Sequence, residues 1–322
     1  MPGESRMPEY MFNRSNPVGM ICPPSLSPGD KIAIVAPASV VKNDYIDGAA
    51  RFFASEGFEP IIMPYAKGPA SGSYAAPDSC RLSDLVDSYS DPAIRAILCA
   101  RGGYGCNHLL SCIKPELIAD NPKWLIGFSD VSALHALSEY SGVISLHSPM
   151  AKHLTIMPPD HYCTRALMDV LKSGLPINYK VKGHNLNVSG CAKGKLIGGN
   201  LAVINGLAAT PFDPCRTNRT EQAILLIEDI GEQIYEIERM LLRLRMSGRL
   251  DTLSGLIVGS FTEYREDPNH ADMNEMIHDI AGDKFPIAFG FPVGHTDENL
   301  PMPIGATTYM TVDKNFTALR FE

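Results

Sequence analysis

Three residue types that together activate a hydroxyl stand at three separated points of this chain, each behind a short apolar run. Ser129 lies in Leu125-Ile126-Gly127-Phe128-Ser129-Asp130, Glu228 follows Ile224-Leu225-Leu226-Ile227, and His295 follows Phe291-Pro292-Val293-Gly294. A serine hydroxyl attacks a carbonyl when an imidazole takes its proton and a carboxylate fixes the tautomer of that imidazole. A sharp strand-to-helix turn at Ser129 exposes the hydroxyl beside the free N–H groups of a helix start, which can hold the oxyanion that forms. Each residue also has a plainer reading. Ser and Asp at such a turn commonly cap a helix. The match to the G-x-S-x-G elbow stops at Val131, where the last glycine would stand, so an α/β-hydrolase is not indicated. Glu228 can cap its loop together with Asp229 and Glu232. His295, in a loop rich in Gly and Pro, is unsuited to core packing; it is either an exposed loop residue or, if it meets Ser129, the proton shuttle.

A glycine-rich loop, Arg101-Gly102-Gly103-Tyr104-Gly105, follows another apolar run. It is neither a P-loop nor a dinucleotide fingerprint. Its glycines serve a simple turn, cradle an anion, or supply an N–H that joins the N–H of Asp130 as an oxyanion donor. Arg101 is suited to grip a substrate carboxylate in a bidentate pair, and equally to a structural ion pair; Tyr104 stands beside it as a substrate-binding candidate. His147 and His153, six residues apart, fit no compact helical metal pair and are read as incidental. The eight cysteines form no C-x-x-C pair and read as reduced thiols. Two rival functions remain in view. One is a binding protein that uses the glycine loop for a small anion with Ser129 as a cap. The other is a thiol hydrolase built on Cys99 or Cys106.

The elements that must position these residues follow from pattern. Strands are expected at 31–37, 59–63, 96–100, 124–128 and 143–146, alternating with helices at 45–56, 80–88, 106–112 and 131–140. That alternation predicts an α/β fold with a doubly wound, mainly parallel N-terminal sheet, whose ligands bind beyond the carboxyl ends of the strands. Residues 1–28 read as a loose leader, 29–172 as the N-terminal domain and 173–189 as a polar linker. Residues 190–322 read as a smaller C-terminal β/α domain, with a helix over 201–207, strands at 223–227, 256–260 and 287–289, an amphipathic helix over 232–246 and a hairpin over 306–321. With 322 residues, 45% of them hydrophobic and 20% charged, the chain can bury a substantial core. A net charge of −8 without a basic stripe argues against nucleic acid as partner. No run has signal-peptide or membrane-spanning length, so a cytoplasmic protein without membrane attachment is expected.

Six segments taken together resemble the LD-carboxypeptidase family of serine peptidases. They are residues 29–39, the glycine loop at 101–105, Ile126-Gly127-Phe128-Ser129-Asp130, Gly198-Gly199-Asn200-Leu201, Leu226-Ile227-Glu228-Asp229 and Gly290-Phe291-Pro292-Val293-Gly294-His295, in family order. The resemblance implies Ser129 as nucleophile, His295 as general base and Glu228 as its orienter. It implies Gly103 and Asp130 as oxyanion donors, and a cleft between two domains. It also implies no metal or cofactor, and a homodimer. The implied reaction releases a terminal D-alanine from murein tetrapeptide in cell-wall recycling. A sister branch contains immunity peptidases that cleave a peptidyl-nucleotide antibiotic; they tend to lack the glycine loop and to carry extra length between domains, so the recycling branch is expected.

Overall fold

The computed structural model describes residues 19–216, 222–266 and 272–322. Its strands, in chain order, are β1 (Lys31–Val35), β2 (Glu59–Ile62), β3 (Ile94–Cys99), β4 (Trp124–Gly127), β5 (Ser145–His147), β6 (Ile177–Lys182) and β7 (Gly190–Asn200). They continue with β8 (Ala223–Ile230), β9 (Leu253–Thr262), β10 (Ile287–Ala288), β11 (Met302–Ile304), β12 (Thr307–Val312) and β13 (Phe316–Phe321). They form two sheets, ordered β11-β5-β4-β3-β1-β2 and β10-β9-β8-β7-β12-β13-β6. The first sheet is parallel apart from β11, and the second is parallel from β7 to β10 and antiparallel beyond it. The α/β class and the doubly wound N-terminal sheet are as the sequence indicates.

Covered parallel strands read as unbroken apolar runs because both faces are buried. Ile32–Val35, Leu125–Ile126 and Ile224–Ile227 are all buried in this way. Helix Asn43–Ser55 turns Ile46, Ala49, Phe52 and Phe53 inward at helical spacing. Helix Ser132–Tyr140, which follows Ser129, is buried at every residue. Its first turn reaches the second sheet, where Asn200 N–H donates to Ser132 Oγ at 2.9 Å. The carboxyl ends of β4, β7 and β8 therefore converge.

Three boundaries differ from the sequence reading. The segment 173–189 is not a bare linker, since β6 within it pairs with β13 at the edge of the second sheet. Its inside–outside alternation is that of a half-covered strand. The C-terminal half does not keep to itself: β11 crosses back to pair with β5 of the first sheet. Pro303 obscures that strand in sequence, but an edge strand tolerates a missing N–H. Finally, residues 1–18 of the leader lie outside the described residues, whereas 19–28 are tied down. Ile21 N–H donates to Gly142 O at 2.7 Å and the Trp124 indole to Pro24 O at 3.0 Å. The helix expected over 106–112 is two short 3₁₀ turns. No helix among the described residues is long and apolar enough to cross a membrane.

Candidate active site

Ser129 occupies the step between β4 and its helix with φ of 65°. That left-handed conformation costs a residue with a Cβ about 1–2 kcal/mol. A capping serine instead sits in extended backbone, and neither the 3₁₀ turn Ser129–Val131 nor helix Ser132–Tyr140 has a side-chain cap. The turn thus holds the half-buried hydroxyl away from the helix instead of using it there. Ser148 N–H, donating to Gly127 O at 3.0 Å, pins the end of β4 from the neighbouring strand.

Glu228 and His295 meet. The imidazole Nδ1 and Glu228 Oε2 are 2.7 Å apart, and the carboxylate is fully buried. β8 shifts register against β9 between Ile227 and Asp229. A bulge of that kind re-aims a side chain, and it leaves two consecutive carboxylates buried, Glu228 toward His295 and Asp229 toward Asn200. Asp229 accepts from Ala202 N–H at 2.7 Å and Asn200 Nδ2 at 3.0 Å. Burial, reinforced by the charge of Glu228, pushes the Asp229 carboxyl up to about 6. Gly294 lets the loop close over Glu228: its φ is 122°, and a Cβ there would stand 3.0 Å from Oε2. The loop is held further by Gly294 N–H to Asn299 Oδ1 at 3.1 Å and by Ser260 N–H to Val293 O at 2.9 Å.

The first sheet touches this pair through Phe128, the residue before Ser129. Its ring lies 4.8 Å from that of His295, 5.6 Å from His153 and 5.8 Å from His147. His153 is therefore not incidental. Its Nε2 lies 3.2 Å from the carbonyl of Thr296, next to His295, and so ties the first domain to the loop. His147 is wholly buried with neither ring nitrogen hydrogen-bonded, and burial drives its basicity well down.

The glycine loop lies against the serine. A Cβ on Gly102 would stand 3.0 Å from both Ser129 Oγ and the backbone N of Asp130, so only glycine permits this approach. Gly103 faces Ser39 instead. Gly102 O accepts from Ser39 N–H at 3.2 Å. Because a trans peptide opposes its C=O and N–H, the Gly103 N–H points away from Ser39. Arg101 donates from Nη1 to Val40 O rather than to a carboxylate, and its side chain is exposed. Tyr104 is 52% exposed, with its ring 5.4 Å from that of His108.

Cys99 and Cys106 are wholly buried, and burial pushes both thiols up, so neither supplies the thiolate a thiol hydrolase needs. The sequence reading passed over Arg81. It lies 1% exposed behind the loop, donating to Pro37 O, Ala76 O and Gly105 O. Its helical spacing to Leu85 and Ser88 already placed it on an inward face.

Family models for the LD-carboxypeptidase N-terminal domain and C-terminal domain match residues 32–148 and 193–310. A probable murein peptide carboxypeptidase of Bacillus subtilis (strain 168) is 32% identical, over 89% of this chain and 91% of that protein. The crystal structure of muramoyltetrapeptide carboxypeptidase from Oxalobacter formigenes superposes with a TM-score of 0.80 at 28% identity, covering 90% of this chain and 98% of the other. The microcin C7 self immunity protein MccF shares the fold, with a TM-score of 0.81 at 21% identity over 93% of this chain and 98% of that one. By these matches the chain belongs to the LD-carboxypeptidase family.

Proposed function

We propose that this protein is a serine-type LD-carboxypeptidase that releases D-alanine from murein tetrapeptide, with Ser129 as nucleophile, His295 as general base and Glu228 as its orienter. The observation that carries the reading is the 2.7 Å contact between buried Glu228 and His295, with the imidazole packed on the residue before Ser129. With Nδ1–H donating to Glu228, the lone pair of Nε2 is left to take the serine proton, and the carboxylate stabilises the imidazolium that results. Attack forms a tetrahedral oxyanion, which the N–H groups of Asp130 and Gly103 receive. Collapse expels the D-amino acid, its nitrogen protonated by His295, and water then hydrolyses the acyl-serine by the same proton path.

The substrate's terminal carboxylate needs a cation near this centre. Arg101 fits that role, being exposed and bound to the Val40 carbonyl rather than to a carboxylate, with Tyr104 as a neighbouring wall. The homodimer and the cytoplasmic setting belong to the same proposal. Sedimentation of the purified chain tests the dimer.

The test is incubation with L-Ala-γ-D-Glu-meso-diaminopimelate-D-Ala, assaying D-alanine for wild type and Ser129→Ala. Release by wild type alone is expected. Equal release by both removes Ser129 as nucleophile. No release by either removes the murein substrate and directs the assay to peptidyl-nucleotides.

A further inference from the structure

Three groups hold the glycine loop in place. Ser39 grips it three times, through its N–H to Gly102 O, by accepting Tyr104 N–H on Oγ at 3.1 Å and by donating from Oγ to Tyr104 O at 3.5 Å. Arg81 holds the far end, with Nη1 donating to Gly105 O at 3.1 Å and to Pro37 O, Nε donating to Ala76 O at 3.0 Å, and Nη2 paired with Asp78 at 2.5 Å. Both of these fasten the loop to the β1 end and to helix Asp78–Ser90. The tie that runs from the loop to the nucleophile turn itself is different. It is the carboxylate of Asp130, whose Oδ2 accepts Cys106 N–H at 2.8 Å.

Asp130 is 2% exposed. A carboxylate so placed is costly unless its acceptors are used, and here Oδ2 is spent on the N–H of Cys106, the residue that follows the loop. The loop is in close contact with the nucleophile at Gly102, so it has no room to move inward. Outward movement is what the Asp130 contact opposes.

We propose that the Asp130 side chain is a positioning residue that sets the separation of the two oxyanion donors, its own N–H and that of Gly103. This rests on the serine-peptidase reading above. One residue thereby supplies a donor through its backbone and, through its side chain, holds the loop that supplies the other. Donors must lie about 2.7–3.1 Å from the oxyanion, and a displacement near 1 Å costs on the order of 100-fold in rate. Such a loss falls on the transition state and leaves ground-state binding alone.

The experiment compares kcat and KM for D-alanine release by the full-length wild type, Asp130→Ala, Asp130→Asn and Ser129→Ala. Asp130→Ala is expected to lower kcat about 100-fold, with KM within about threefold of wild type. Asp130→Asn keeps an oxygen for Cys106 N–H and is expected to recover kcat to within about tenfold of wild type. A merely structural role would lower the melting temperature without this split between kcat and KM and without rescue by Asn. The proposal is overturned if Asp130→Ala keeps wild-type kcat, if the loss lies in KM, or if Asn is no better than Ala. Should Asp130→Ala not fold, Asp130→Ser replaces it, its hydroxyl being too short for the contact. Activity in Ser129→Ala would sink the nucleophile assignment instead, which a silent Ser129→Ala with an unimpaired Asp130→Ala would leave standing. If the wild type does not cleave the tetrapeptide, the rates of Ser129 labelling by a fluorophosphonate are compared; the same order of variants is expected, and equal rates overturn the proposal.

Discussion

The two sheets hold the residues of the proposed triad in opposite ways. On the first sheet Ser129 is fixed by backbone: a left-handed φ, a strand end pinned by its neighbour, and a glycine loop against the hydroxyl. On the second sheet His295 is fixed by side chains: one oxygen of a buried carboxylate, the tilted ring of Phe128, and a loop tied by Asn299 and His153. The difference matters because a backbone device survives most substitutions of the residue it presents, whereas a side-chain device is lost with its partner. The serine side should therefore separate chemistry from stability cleanly, and the histidine side should not.

The largest effect tests that contrast directly. Ser129→Ala and His295→Ala are each expected to lower kcat by about 10⁴-fold or more. The pair Ser129→Ala/His295→Ala should be scarcely worse than either alone, since groups that act as a unit do not add. Independent, additive losses measured by single-turnover kinetics would mean the two do not share a proton. Glu228→Gln comes next, with kcat expected to fall about 10²–10⁴-fold and KM little changed, because Gln keeps the shape and loses the charge that stabilises the imidazolium. The remaining oxygen, Oε1, is buried without a hydrogen-bond partner, so the amide gains nothing to offset the loss. A Glu228→Gln variant with wild-type kcat would break the comparison by showing that the imidazole is held by its loop.

The same contrast explains what was legible in the sequence. A backbone device leaves a contiguous signature: apolar strand, Gly, Phe, Ser, Asp, then a helix. So the Ser129 turn and the glycine loop could be read directly. Glu228 and His295 were legible only as a carboxylate and an imidazole at strand ends. Their meeting depends on the register shift in β8 and on the close approach at Gly294, neither of which has a local pattern. His153 and Arg81 were harder still. Each acts through a backbone carbonyl distant in sequence, at Thr296 and at Pro37 or Gly105, and carbonyls carry no sequence identity. The crossing of β11 was hidden because three residues with a central Pro carry too little alternation to read as a strand.

A smaller effect distinguishes the two sides by acid. On the serine side burial lowers His135 to about 4, and it lowers His147 and His153 as well. A histidine depressed on folding contributes stability that is full above its unfolded value near 6.5 and is lost as pH falls toward 4. On the other side Asp229 is raised to about 6. Its contribution is full below the unfolded value near 4 and is lost as pH rises through 6. Over the same window the two act in opposite directions, each worth up to roughly 3 kcal/mol. Asp229→Asn should therefore steepen the fall in melting temperature between pH 6 and 4, and His135→Asn should flatten it. Equal slopes in the two variants would show that neither group titrates differently on folding.

The smallest effect bears most closely on the strain at Ser129. A left-handed φ penalises every residue with a Cβ, so Ser129→Ala removes the proposed nucleophile and keeps the strain, whereas Ser129→Gly removes both. Against that relief stands the extra freedom glycine has in the unfolded chain, about 0.4–1 kcal/mol. The strain of about 1–2 kcal/mol outweighs it, leaving Ser129→Gly more stable than Ser129→Ala by up to about 1.6 kcal/mol while both are inactive. Urea unfolding of the two variants, with the same slope against denaturant, measures this difference. If Ala is the more stable, the turn at Ser129 is not held against a backbone preference, and the exposure of the hydroxyl must come from the glycine loop. In that case Gly102→Ala, whose Cβ would press on Ser129 Oγ, should alter the Ser129 turn more than any change at Ser129 itself.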